Sequence, residues 1–216
     1  MAIQWTAENA AEELINTWTH GAGFLFSLPA GFFLVRLALE HRPELVWSCV
    51  VYSVSMATLY LFSTLSHAVR EPSWRHPIRT LDQGFVYGLI AGTFTPFISS
   101  YLEGTPRTAL LAFVWIAAAA GFYSKVFSKH RIDNMASLSY ILLGWIPAMI
   151  LFNYVTWVCF GTMLLGGVLY TVGVLFLQND HRSTYYHAIW HTMVIIASLC
   201  HYLGVVAFAV LQWDRL

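Results

Sequence analysis

YYHAIWHTMVIIASLCHY, residues 185–202, decides how the chain is read. The run is apolar enough for a bilayer interior, and its length suits a spanning helix, which needs about 20 such residues. Yet it carries His187, His191 and His201. Ionisable side chains inside a span are costly and tend to mark function. His187 and His191 are four residues apart, so both rings fall on one helical face. One helix can supply two metal ligands at that spacing; two histidines at a membrane interface can equally stand solvated. His201 lies ten residues beyond His191, about 15 Å along a helix axis. That is too far to share an ion with the pair, and a hydrogen-bonded interior histidine is expected there.

The rest of the chain agrees with a membrane setting. Hydrophobic residues make up 58% of the 216 and charged residues 10%, against about 25% charged in a soluble domain. The net charge of +0 leaves no basic footprint for nucleic acid. Cys49, Cys159 and Cys200 sit in apolar stretches without C-x-x-C spacing and read as small buried hydrophobes. The stretch 1–18 has no basic n-region and does not read as a cleaved signal peptide.

Hydropathy predicts an all-α integral membrane protein with seven spans, at roughly 19–39, 45–66, 82–101, 108–126, 136–153, 155–177 and 186–210. Residues 1–216 read as a single seven-transmembrane unit. The fifth and sixth spans meet near Asn153 with almost no linker. The stretch GGVLYTVG reads as a close helix–helix contact. Pro96 falls inside the third span, where Thr93 or Thr95 is expected to take the carbonyls it leaves unpaired. Trp5, Trp18, Tyr101, Tyr185 and Trp213 read as interface anchors. One side of the seven-span layout holds Arg70, Arg75, Arg79, Lys125, Lys129, Arg131 and Arg182; the other holds Arg36, Arg42, Arg107 and Arg215. That asymmetry predicts a cytoplasmic N-terminus and an outer C-terminus.

Polar residues then gather at one depth. His67 ends the second span, Asp82 starts the third, and the His187/His191 pair starts the seventh, all on the expected cytoplasmic side. Ser63 stands one turn before His67 on the same face. Residues delivered together from separate helices suit a metal site, with solvated interfacial side chains as the alternative. Glu13, Asn16 and His20 share a helical face at i, i+3 and i+7. They serve either as interfacial capping groups or as a second polar layer near that site.

ELINTWTHGAG, STLSH, LDQGFVYGLIAGTFTPF, LLGW, GGVLYTVG and YHAIWHTMVIIASLCHY, in that order, resemble the hemolysin III family. These are bacterial members of the progestin and adipoQ receptor superfamily, to which the adiponectin receptors belong. The resemblance covers almost the whole chain. Ser66 departs from it, since the family usually has an aromatic before the histidine of the second span. The long cytoplasmic N-terminal extension of the receptor members has no counterpart in these residues. The resemblance implies seven helices with the N-terminus inside, in the inner (plasma) membrane of a bacterial cell. It also implies Zn2+ bound by His67, His187 and His191, with Asp82 contacting the zinc-bound water and Ser63 supporting the site. The alkaline ceramidases, which hydrolyse lipid amides, look similar at these positions.

Three imidazoles and one open position suit a catalytic zinc, which activates water and polarises a carbonyl. Asp82 would then act as base, and Ser63 would position Asp82 or donate to an oxyanion. The expected chemistry is hydrolysis of a membrane lipid ester or amide. The alternatives are a zinc that only ties helices together, a cytolytic pore and a receptor-like sensor. The few polar residues between the cytoplasmic cluster and the outer face count against a wide pore in a monomer.

Overall fold

The computed structural model describes residues 7–127 and 134–213. Among them are seven α-helices and no strand: α1 Ala7–His41, α2 Val46–Ala68, α3 Pro72–Tyr101, α4 Gly104–Phe127, α5 Asn134–Leu151, α6 Trp157–Gln178 and α7 Tyr186–Gly204. The last continues as a π-helix, Val205–Val210. Five stretches are long and apolar enough to cross a membrane: Ala10–His41, Pro43–Ala68, Gly104–Phe127, Trp157–Gln178 and Tyr186–Val210. A shorter apolar stretch, Ser137–Leu151, lies in α5. The chain is a membrane helical bundle. Trp5, Lys129, Arg131 and Arg215, used above for anchoring and orientation, lie outside the described residues.

In the bundle α1 packs on α2, α2 on α3, α3 on α4 and α6 on α7, while α7 closes back onto α1. The helix that falls short on apolarity is α3, and its surroundings explain why. It touches α2, α4, α5 and the π segment, and Ala91 through Ile98 are all buried. A helix wrapped in protein need not match lipid, and small residues let its neighbours come close. Gly92 shows the effect, since a Cβ there would lie 2.6 Å from Ser55 Cβ on α2. Outward-facing Phe26, Phe32, Trp47 and Ile116 are 69–78% exposed, an apolar rim suited to acyl chains.

The predicted spans each fall on one helix, but two helices start earlier than their apolar runs. α1 begins at Ala7 and α3 at Pro72, with proline in the first helical turn where its missing N–H costs nothing. These early turns carry Glu13, Asn16, Arg75 and Arg79. The junction near Asn153 is a short turn. α5 ends at Leu151, and the Thr156 hydroxyl caps α6 by accepting from the Cys159 N–H. Gly104 opens α4 at φ +57°, a left-handed conformation that glycine enters without penalty.

The expectation for Pro96 is corrected. Thr93 Oγ1 donates to Leu89 O and Thr95 Oγ1 to Ala91 O, both at 2.8 Å. Each hydroxyl thus reaches four residues back, and neither takes Gly92 O, the carbonyl facing the proline ring. In the π segment the wider turn leaves carbonyls to side chains of α3. Ser100 Oγ donates to Ala209 O at 3.1 Å and Tyr101 OH to Phe208 O at 3.3 Å.

Candidate metal centre

α2 and α7 bring three imidazoles together. One ring nitrogen from each of His67, His187 and His191 lies within 4.8 Å of the other two. Ring centroids are 4.7–5.0 Å apart and the planes cross at 64–74°, so the rings converge edge-on rather than stack. His67 and His191 are buried, at 5% and 1% exposure, and His187 is partly exposed.

Each ring is held by its Nδ1. His67 Nδ1 lies 2.7 Å from Glu13 Oε2. A carboxylate only accepts, so Nδ1 carries the proton and Nε2 keeps its lone pair. That Nε2 is buried and has no hydrogen-bond partner. His191 Nδ1 lies 3.2 Å from Thr19 Oγ1. Thr19 gives its only hydroxyl proton to Asn16 O at 2.9 Å, so it must accept from His191, whose Nε2 is likewise left with a lone pair. His187 Nδ1 lies 3.4 Å from Asp180 Oδ2. The bond from His187 holds the Asp180 carboxyl below its ordinary value. Metal-binding histidines characteristically donate their second ring nitrogen to an oxygen in this way, which fixes tautomer and orientation. The donor set therefore fits an ion. The three rings could hold one, with the orphaned His67 Nε2 as the most direct sign.

A second layer braces the first. Glu13 also pairs with Arg75 and, at 2.8 Å, with Arg79. His20 stacks on His191, centroids 3.6 Å apart and planes 13° from parallel. Its Nδ1 is 2.6 Å from Ser63 Oγ. Asp82 Oδ2 accepts from Ser66 Oγ at 2.9 Å.

All of these groups except Thr19 and Arg75 line one cavity of about 270 Å³. Its polar end carries His67, His187, His191, Asp82 and Ser63. Its wall continues past Leu89, Phe94, Phe97, Met163 and Val194 to His201. An ion at one end and an apolar channel beyond it can bring a reactive centre to a lipid chain.

The structure thus gathers His67, His187 and His191 and sets Asp82 and Ser63 in the wall beside them. Glu13 and His20 join as a second polar layer, and Asn16 contributes through its backbone. His201 is a hydrogen-bonded interior residue, with Nε2 3.1 Å from Met163 O. Sequence reading missed Thr19, Asp180 and Ser66, whose partners come from other elements or across a turn. Arg75 and Arg79 share a face at i, i+4, but that spacing names no partner on α1.

A family model described as Haemolysin-III related matches residues 8–202. The chain is similar to "Hemolysin-3" of Bacillus cereus, 38% identical over 188 residues and 85% of each chain. It is similar to "Hemolysin-3 homolog" of Bacillus subtilis (strain 168), 34% identical over 205 residues, 92% of this chain and 95% of the relative. Human "Monocyte to macrophage differentiation factor" is 28% identical over 207 residues, 90% of this chain and 83% of the relative.

Proposed function

Since the chain belongs to the haemolysin-III-related family, we propose that it is a zinc-binding membrane protein that hydrolyses an ester or amide bond of a membrane lipid. The observation that carries this reading is the single cavity that joins the three histidines and Asp82 to an apolar channel. Three neutral imidazoles suit zinc, and three protein ligands are the usual number in a catalytic site. When bound there, zinc supplies Lewis-acid polarisation of a carbonyl and a water nucleophile at neutral pH.

The chain's own groups divide the remaining work. Asp82 takes the proton from the attacking water. Ser66 Oγ, 2.9 Å from its Oδ2, orients the carboxylate for that transfer. Ser63 pins His20, and the flat His20 ring keeps His191 from turning. The apolar wall excludes bulk water and receives the acyl chain. The proposed setting is the bacterial inner membrane, crossed seven times, with the N-terminus in the cytoplasm.

The test uses protein purified without chelator. Elemental analysis is expected to find one zinc per chain, and mass spectrometry of co-purified lipid to identify the chain occupying the cavity. A panel of lipid esters and ceramides is expected to contain a substrate that is turned over. A zinc-loaded protein that turns over nothing on the panel overturns the hydrolase reading.

A further inference from the structure

At the deep end of the cavity, far from the three-histidine group, the wall carries a second polar feature. His201 is 7% exposed and lines the cavity. Its Nε2 is 3.1 Å from Met163 O. A carbonyl only accepts, so Nε2 holds the proton and Nδ1 is an acceptor. Nδ1 is buried and has no hydrogen-bond partner.

The ring is seated with little freedom. A Cβ on Gly166 would come within 2.3 Å of Nε2, so the imidazole lies directly against the α6 backbone. Nearby hydroxyls in the wall bond elsewhere, and none reaches Nδ1. Thr93 donates to Leu89 O, Thr171 donates to Gly167 O, and the Tyr170 hydroxyl pairs with Ser198 Oγ at 2.8 Å. An unpaired buried acceptor is costly, and a donor carried by what the cavity holds would relieve that cost.

The helix supplies the spacing. His187 and His201 are fourteen residues apart, close to four turns, so they share a face of α7 with Val194 between them. From His191 the separation is about 15 Å. We infer that the deep end of the cavity is a second polar subsite, where His201 Nδ1 accepts a hydrogen bond from a hydroxyl carried on the lipid chain about 15 Å from the group at the histidine cluster. The site then selects hydroxylated chains by the position of the hydroxyl. This rests on the reading of the cavity as a lipid site.

The test compares fatty acids with their ω-hydroxy counterparts of equal length, bound by the purified zinc-loaded protein in an uncharged detergent. Taking the ratio between wild type and variant cancels any difference in micelle partition. Wild type is expected to prefer the hydroxy acid about five- to tenfold, the worth of one net hydrogen bond. That preference is expected to peak at the chain length that spans the gap. His201→Phe is expected to abolish it, and so is Gly166→Ala, which displaces the ring and serves if the first variant does not fold. Equal affinity for both acids in wild type overturns the inference, as does a preference that survives both changes. If wild type binds neither acid, the lipid reading of the cavity itself fails.

Discussion

Glu13 faces two ways. One carboxylate oxygen orients His67 and the other meets Arg75 and Arg79. Glu13→Gln keeps an acceptor for His67 but removes the charge opposite two guanidinium groups. Zinc affinity, measured by chelator competition, is expected to fall by about 10- to 100-fold, the usual effect of losing such a partner; an unchanged affinity would mean that Glu13 serves only to pair the arginines. Asp82→Asn asks a different question, because it keeps shape and removes the base. Bound zinc is expected to stay, while lipid turnover falls by roughly 10²- to 10⁴-fold. Loss of zinc with a lower melting temperature would instead make Asp82 a ligand of a structural ion. The aligned face of Glu13, Asn16 and His20 was legible because helical spacing is local. Thr19 and Ser66 were not. The Thr19–His191 bond spans 172 positions, and no periodicity carries such a partnership. Ser66 stood out only as a small residue where an aromatic was expected, and its hydrogen bond to Asp82 gives that substitution a physical use.

Among the elements, the spans were legible wherever lipid sets the composition, and each predicted run falls on a helix. The helix starts were not, because α1 and α3 extend beyond their apolar stretches into polar turns that carry the second layer of the site. GGVLYTVG was read as a close contact, and it is one. Gly166 admits His201, and a Cβ on Gly173 would lie 2.7 Å from the Trp190 ring. One close α2–α3 approach is Gly92 against Ser55. Gly92→Ala is expected to destabilise the bundle by about 1–3 kcal/mol through overpacking. Adding Ser55→Gly to the same chain is expected to restore much of the loss. Thermal unfolding of both proteins in one detergent reads this, and an additive double variant would show that the two residues do not press on each other.

For the whole molecule, an ion held by the three histidines would fasten α2 to α7. Chelation is expected to lower the unfolding temperature and added zinc to restore it, because a ligand that binds only the folded state stabilises it by mass action. In His67→Ala the same chelator is expected to change nothing; a drop there as large as in wild type would place the stabilising ion elsewhere. The basic asymmetry predicts that a reporter joined before Met1 stays in the cytoplasm and one joined after Leu216 is exported, and a cytoplasmic signal at both ends would refute that orientation. The same fastening has a temporal side. His67 leaves the ribosome with α2, whereas His187 and His191 follow only with α7. Before α7 is made, a nascent chain therefore holds one of the three clustered rings, and the group is assembled only once α7 has joined α2. Capture of a metal by this group would then report that α7 has docked on α2, which a chain stalled before α7 would lack.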